Sequence, residues 1–188
     1  MSKIRAFSYS ISRKEVQKNK MDGKIFHTKE VLGQYGRPFT IHKFRTMIPD
    51  ADKLYHFLAK KNGFHKNGKI ISDPRITKLG SFLREYFIDE IPQFYNIIKR
   101  EMNVVGIRPR TNEEWKTEYP EKHKINSLRY KPGLLGVPYY YTGLNSLSDI
   151  MEAETEYIER KKKNPIKTDI HYKNRIIQNI LFKKLRSF

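Results

Sequence analysis

The chain has 188 residues and no cysteine, and 38 lysine and arginine residues against 20 aspartate and glutamate residues give it a formal net charge of +18. These figures exclude disulfide bonds and thiolate chemistry, and they predict one domain whose partners carry negative charge: nucleic acid, an anionic membrane surface or phosphorylated molecules. The mean hydropathy is −0.74, and no stretch approaches the roughly 18 consecutive apolar residues of a membrane-spanning helix.

The first quarter of the chain divides into a basic arm and a hairpin pattern. Residues 1–24 are basic and their apolar residues show no sustained period, so we expect an arm ahead of a domain at 25–188. Two runs, Ile25 to Thr28 and Phe39 to Phe44, alternate as strands do, and residues 33–38 between them are dense in turn residues. The pattern predicts a β-hairpin with a loop longer than two residues.

Helical periodicity dominates the middle of the chain. Pro49 and Asp50 open the first helical segment, with Asp50 as the candidate cap, and the turn at residues 73–75 leads into the second. Pro92 predicts the start of a third helix, because proline is tolerated in the first helical turn. Residues 103–110 are expected to form a short buried strand that runs into a proline turn.

The last third of the chain mixes turns with charged helices. Residues 129–136 hold a proline and two glycines and predict a turn, and residues 149–159 form an acidic helical patch. Ten basic residues and one acid lie in 160–188, where the pattern predicts a basic amphipathic helix suited to a membrane surface or a partner groove. Together the segments predict an α/β (α+β) domain with a small sheet or hairpin, several amphipathic helices and many irregular turns.

Two adjacent carboxylates, Asp89 and Glu90, stand in a basic, aromatic-rich neighbourhood just before Pro92. An acid at the start of a helix lies in the positive field of the helix N-terminus, which favours its ionised form. An ionised carboxylate can act as a nucleophile, and its neighbour can hold a metal ion. Either acid alone is more often a helix cap or a first-turn acid.

Basic residues cluster at turns around this acid pair. Guanidinium groups on proline-stiffened turns suit bidentate contacts with phosphate, although a single arginine is usually a solvated charge. Four such turns around one carboxylate pair favour phosphoryl transfer, in which arginines and a divalent cation would neutralise a diphosphate. The candidate phosphate- or nucleotide-binding residues are Lys43, Arg45, Arg75, Arg84, Arg108 and Arg110.

Five blocks of the sequence resemble, in order and spacing, those of the bacterial sugar transferases, the monotopic polyprenyl-phosphate hexose-1-phosphate transferases. The blocks are Gly-Arg-Pro-Phe with Lys-Phe-Arg-Thr-Met (36–47), Asp-Pro-Arg-Ile-Thr-Lys-Leu-Gly-Ser-Phe-Leu-Arg (73–84), Asp-Glu-Ile-Pro-Gln-Phe-Tyr-Asn (89–96), Met-Asn-Val-Val-Gly-Ile-Arg-Pro (102–109) and Lys-Pro-Gly-Leu-Leu-Gly (131–136). Ile107 departs from the family, which usually has proline at this position.

The resemblance implies an activity and roles for the acid pair. The family moves a sugar-1-phosphate from a nucleotide sugar, usually a UDP-sugar, to a polyprenyl phosphate in cell-surface glycan synthesis. The aspartate that matches Asp89 attacks the phosphorus bearing the sugar and UMP leaves, after which the lipid phosphate attacks the phospho-aspartyl intermediate. The glutamate that matches Glu90 is associated with Mg²⁺, the implied cofactor.

Members of this family normally carry an apolar membrane-entering helix before the segment that matches Lys24, whereas residues 1–24 here are polar and basic. We therefore expect peripheral attachment at the cytoplasmic face of the inner membrane, through an anionic membrane surface or a membrane partner protein, without a transmembrane helix in this chain.

The missing membrane helix leaves one alternative function open: a catalytically degenerate scaffold of a glycan-assembly complex. A nucleic-acid-binding protein is motivated by net charge alone and lacks any recognition motif, so no nucleic-acid partner is expected.

Overall fold

A computed structural model of the chain describes residues 25–63, 70–144 and 146–183. Within these residues, seven α-helices and two two-stranded sheets form an α+β fold, which confirms the predicted fold class. The basic arm predicted for residues 1–24 lies outside the described residues.

Strands β1 (Phe26–Leu32) and β2 (Pro38–Phe44) form the predicted antiparallel hairpin. Their loop contains a 3₁₀ turn at Gln34–Gly36. Register partners point to the same face of a hairpin, and successive residues along each strand point to opposite faces. One face of the hairpin therefore carries His27, Lys29, Val31, Phe39, Ile41 and Lys43. Val31 and Ile41 are buried on it, so this face combines a small apolar core with basic side chains.

Two helices follow the hairpin. A 3₁₀ turn at Ala51–Leu54 precedes α1 (Tyr55–Asn62). Asp50 is the N-cap residue of this turn, as predicted, but its φ is 58° and its side chain makes no capping hydrogen bond, pairing with Lys53 instead. Helix α2 (Lys78–Glu85) begins after Thr77, whose hydroxyl accepts a 2.8 Å hydrogen bond from the amide of Gly80.

The acid pair lies in a 3₁₀ segment, Ile88–Gln93, that continues directly into α3 (Phe94–Ile98). Phe87 has a φ of 58°, and its carbonyl accepts a hydrogen bond from the amide of Glu90, which closes the first turn. The helical segment thus starts four residues before Pro92, and the predicted start at the proline is wrong.

A second sheet pairs β3 (Asn103–Gly106) with β4 (Gly133–Gly136) in parallel. The strand is confirmed for residues 103–106, but residues 133–136 are a strand rather than the predicted turn. The glycines of β4 mark a close backbone approach, because a Cβ on Gly133 would lie 1.9 Å from the amide nitrogen of Gly106.

The remaining helices enclose the main core. Helices α4 (Asn112–Thr117) and α5 (Glu121–Ser127) connect the strands of the second sheet. The predicted acidic patch lies in α6 (Leu147–Lys163), and α7 (Pro165–Lys183) carries most of the predicted basic segment. The main core consists of Val105, Ile107, Trp115, Tyr119, Val137, Tyr139, Ala153, Tyr157, Ile158, Tyr172 and Ile176. None of the helices in the described part of the chain is long and apolar enough to cross a membrane.

We expect Gly133→Ala to lower the free energy of unfolding by about 1–3 kcal/mol or more, because the new methyl group would meet backbone atoms of Val105 and Gly106 that cannot move aside. Urea-induced unfolding measures the loss. Gly136→Ala is the matched control in the same strand, since its Cβ would meet side chains of Arg108 and Pro138 at ordinary contact distances of 3.6 and 3.7 Å. Equal losses in the two variants would contradict this account of β4.

Candidate active site

A cavity of about 560 Å³ lies between the basic face of the hairpin, the 3₁₀ segment with the acid pair and the residues after β3. Its volume falls in the range of small-molecule sites, roughly 300–1,000 Å³. Its lining includes six of the eight site residues that the sequence suggests, namely Lys43, Arg45, Arg84, Asp89, Glu90 and Arg108.

The acid pair lies at the buried side of this cavity, with Asp89 only 3% and Glu90 8% exposed. The Nζ atom of Lys43 is 2.5 Å from Oε1 of Glu90, and the side-chain amide of Gln93 donates to the other oxygen, Oε2. Burial lowers the pKa of Lys43 below its ordinary value, and the charge of Glu90 opposes that shift. The carboxylate of Glu90 is thus fixed in orientation from both sides.

Helix α2 positions Arg84 in the cavity by packing directly on Thr46. The Nε atom of Arg84 donates a 2.8 Å hydrogen bond to the hydroxyl of Thr46, whose carbonyl accepts from the amide of Thr77 at 3.0 Å. A Cβ on Gly80 would lie 2.0 Å from the same carbonyl, so only glycine allows this approach. Burial lowers the pKa of Arg84, and the nearby charge of Asp89 opposes the shift.

Arg45 presents an unsatisfied donor on the cavity wall. Its Nε atom is buried and has no hydrogen-bond partner within the described part of the chain. A buried donor without a partner costs about 1–3 kcal/mol, so an anionic group bound in the cavity would recover that cost. Arg108 lines the same cavity, and its Nη1 atom lies 3.4 Å from the hydroxyl of Tyr139.

The structure does not place Arg75 and Arg110 on the cavity wall. Arg75 is buried and forms a two-point contact with Asp73, in which Nη2 lies 2.6 Å and Nε 3.2 Å from Oδ2. Its Nη1 atom also donates to the carbonyl of Ala51 at 3.2 Å. Arg110 pairs at 2.6 Å with the fully buried Glu154. Each guanidinium therefore already has a carboxylate partner, which suits a role in holding the turns.

Glu154 organises a buried cluster behind the cavity. Its two oxygens contact Arg110 at 2.6 Å and the Nε2 atom of His123 at 2.9 Å. The guanidinium of Arg110 also lies over the rings of Trp115 and Tyr119, 4.9 and 4.2 Å from their centres. Because the Arg110 carbonyl accepts from the end of β1, this cluster anchors the turn that carries Arg108.

Six acidic or basic residues on the cavity wall were not among the sequence candidates: His27, Lys29, Asp50, Asp52, Lys53 and Glu114. The alternation of β1 was a usable signal for the first two, since it puts them on the same strand face as Lys43. Burial lowers the pKa of His27. Nothing in the local sequence distinguishes Glu114 from an ordinary first-turn acid.

The chain matches one known protein family over most of its length. Residues 13–183 match the family described as Bacterial sugar transferase. The chain therefore belongs to the bacterial sugar transferases, which confirms the resemblance carried by the motif blocks.

Several relatives are similar over most of the chain. The galactosyl transferase CpsE of Streptococcus agalactiae is 37% identical over 148 residues, which cover 76% of this chain and 32% of CpsE. The exopolysaccharide production protein ExoY of Sinorhizobium fredii is 34% identical, with coverages of 73% and 62%. The UDP-glucose:undecaprenyl-phosphate glucose-1-phosphate transferase of Klebsiella pneumoniae is 32% identical, with coverages of 72% and 28%. The chain thus spans less than two thirds of the length of each of these relatives.

Removing the carboxylate of Glu154 should strongly destabilise the fold. Glu154→Ala is expected to cost about 3–5 kcal/mol of unfolding free energy, because it leaves the buried charge of Arg110 uncompensated. Glu159→Ala in the same helix removes an exposed pair with Lys162 and should change stability by less than about 1 kcal/mol. Denaturant titration compares the two. Similar values for both would show that the cluster does not anchor the structure.

Proposed function

We propose that the protein transfers a sugar-1-phosphate from a UDP-sugar to a polyprenyl phosphate, in the synthesis of a cell-surface polysaccharide or glycoconjugate. The family and the relatives support this proposal, since one relative is named for transfer of glucose-1-phosphate from UDP-glucose to undecaprenyl phosphate. The observation that carries it is the pair Asp89 and Glu90, buried in a cavity whose walls bear Lys43, Arg84 and Arg108.

In this proposal Asp89 is the nucleophile. One of its carboxylate oxygens attacks the phosphorus that bears the sugar, the bond from that phosphorus to the bridging oxygen of the diphosphate breaks, and UMP leaves with the bonding electrons. An oxygen of the lipid phosphate then attacks the same phosphorus. The aspartyl–phosphorus bond breaks, the carboxylate of Asp89 is restored, and the sugar is left on a polyprenyl diphosphate.

The surrounding cations make this attack feasible, because a carboxylate and a diphosphate repel one another. Lys43, Arg45, Arg84 and Arg108 all line the cavity and would contact the phosphates. Fixed positive groups stabilise the charge that develops at phosphorus without reorganising during the reaction. For Arg75 and Arg110 we propose a positioning role, since each already pairs with a carboxylate.

Glu90 is the residue that we propose as a ligand of Mg²⁺. The described residues contain no group of three or more acids and histidines able to enclose a metal ion. Mg²⁺ is usually held through one or two carboxylates together with substrate phosphates, so a single buried carboxylate beside the reacting aspartate fits it. Bound there, Mg²⁺ would neutralise diphosphate charge. One of the contacts from Lys43 or Gln93 to Glu90 would then have to be exchanged.

The exposed apolar side chains on both sides of the acid pair support contact with a membrane. They lie on α2, the following turn, the 3₁₀ segment and α3, and each is 49–79% exposed: Leu79, Phe82, Tyr86, Ile91, Phe94, Tyr95 and Ile98. Aromatic rings of this kind favour the headgroup region of a bilayer. We propose that this apolar surface rests on the cytoplasmic face of an anionic membrane and brings the cavity to the lipid phosphate.

Replacing the proposed nucleophile gives the direct test of the activity. Asp89→Asn should abolish release of UMP from UDP-sugars, because an amide cannot form the intermediate. Glu152→Gln, an exposed acid on α6, should keep wild-type rates. Release of UMP by Asp89→Asn at the wild-type rate would remove Asp89 from this role. If the wild-type protein released no UMP from any donor in a broad panel, the scaffold alternative would stand.

Membrane contact can be tested by sedimentation with vesicles of phosphatidylglycerol and phosphatidylcholine. The double variant Phe82→Ser, Phe94→Ser should bind them at least about tenfold more weakly, since burying one phenylalanine side chain contributes roughly 1.5–3 kcal/mol. Phe57→Ser, which removes an equally exposed ring from α1, is the control and should bind as the wild type does. An equal effect at Phe57 would argue against a specific surface on α2 and α3.

Tight binding to DNA or RNA with a steep salt dependence would favour the nucleic-acid alternative.

A further inference from the structure

The basic face of the hairpin sets three cations in a row along the cavity. Lys29 pairs with Ile41, two register rows from Lys43, and Arg45 lies two residues beyond Lys43, where its amide donates to the carbonyl of Ile25. All three residues line the cavity. Same-face positions along a strand are roughly 7 Å apart. The wall therefore has a middle position at Lys43 and two ends, at Lys29 and at Arg45.

The middle position fixes where the reacting phosphorus lies. Lys43 contacts Glu90, the neighbour of Asp89, so the phosphorus attacked in the proposed reaction lies beside Lys43. At the Arg45 end, the buried Nε atom without a partner in the described residues calls for an anion, which the second phosphate of the donor supplies. With the donor bound in this way, its nucleotide half would point towards Arg45 and its sugar half towards Lys29.

The Lys29 end is polar but electrically balanced. The Nζ atom of Lys29 lies 3.0 Å from Oε1 of Glu114, and the two side chains are 43% and 35% exposed. The other oxygen of Glu114 accepts a 2.6 Å hydrogen bond from the amide of Thr111, which fixes the carboxylate. The carboxylate keeps lone pairs and the ammonium keeps N–H groups for further hydrogen bonds. Such a pair suits an uncharged ring that carries several hydroxyl groups.

We propose that Lys29 and Glu114 bind the hydroxyl groups of the donor's sugar and thereby determine which sugar is transferred. This inference rests on the proposed function. Besides Lys43 with Glu90, the cavity wall carries a charged pair at Asp50 and Lys53, but that pair is much more exposed, with side chains 72% and 77% accessible, and lies within one short segment of the chain. Lys29 and Glu114 instead join β1 to α4, and a pair held in place before binding discriminates better between ligands.

Glu114→Gln is the decisive variant, because glutamine can keep the hydrogen bond to Thr111 that starts α4 while the charge that pairs with Lys29 is lost. The readout is kcat/KM for UMP release from UDP-glucose, UDP-galactose and their N-acetylated counterparts. We expect the ratio between the best and the poorest donor to change about tenfold or more, as for loss of one charged hydrogen bond. Lys29→Gln should shift the ratio in the same direction, and Asp50→Asn should leave it unchanged.

Two kinetic results would overturn the inference. One is an equal loss for every donor in Glu114→Gln, which would indicate a structural role alone. The other is a changed ratio in Asp50→Asn with an unchanged ratio in Glu114→Gln, which would put the sugar beside Asp50 instead. Calorimetry with UDP and UDP-sugars in the Asp89→Asn background separates this inference from the proposed reaction, because no covalent step can occur there. The Asp89→Asn protein should bind the best donor more tightly than UDP, and adding Glu114→Gln should abolish that preference; a retained preference contradicts the inference.

Discussion

The partly buried contact between Lys43 and Glu90 joins the hairpin to the 3₁₀ segment that carries the acid pair. A buried ion pair contributes little net stability compared with an apolar pair of similar volume, because both charges lose their hydration. Its value here is geometric. It fixes the orientation of Glu90 and places the middle cation of the hairpin wall beside the acid pair. Thr46 extends that frame to α2 and Arg84.

Local patterns predicted the parts of this arrangement that depend on neighbouring residues. The hairpin follows from strand alternation and a turn-rich loop, and the acid pair stands out as two adjacent carboxylates among cations. The parallel pairing of β3 with β4 could not be predicted from the sequence, because it joins residues about 30 positions apart and the glycines of β4 resemble turn signals. The left-handed backbone conformation of Phe87 was not predicted either, and the helical segment starts directly after it at Ile88 rather than at Pro92.

The cations show a second limit of sequence reasoning. Arg84 and Arg108 line the cavity whereas Arg75 and Arg110 do not, although all four are arginines at turns. The difference lies in their partners. Asp73 is two residues from Arg75 and was visible in the sequence, but Glu154 is 44 residues from Arg110 and only the fold brings the two together. Glu114 could not be predicted as a site residue either, because only the fold brings it to the cavity wall beside Lys29. Helical spacing likewise did not show which apolar side chains of α2 and α3 are exposed.

In the proposed reaction, the carboxylate of Asp89 forms a transient covalent bond to phosphorus. Intact mass spectrometry of protein quenched in acid during turnover with a UDP-sugar tests this bond most directly. We expect a mass increase equal to one sugar-phosphate group, located on the peptide that contains Asp89 and lost when polyprenyl phosphate is added before quenching. Continued UMP release with no such adduct at any time point, across donors that the protein turns over, would contradict it.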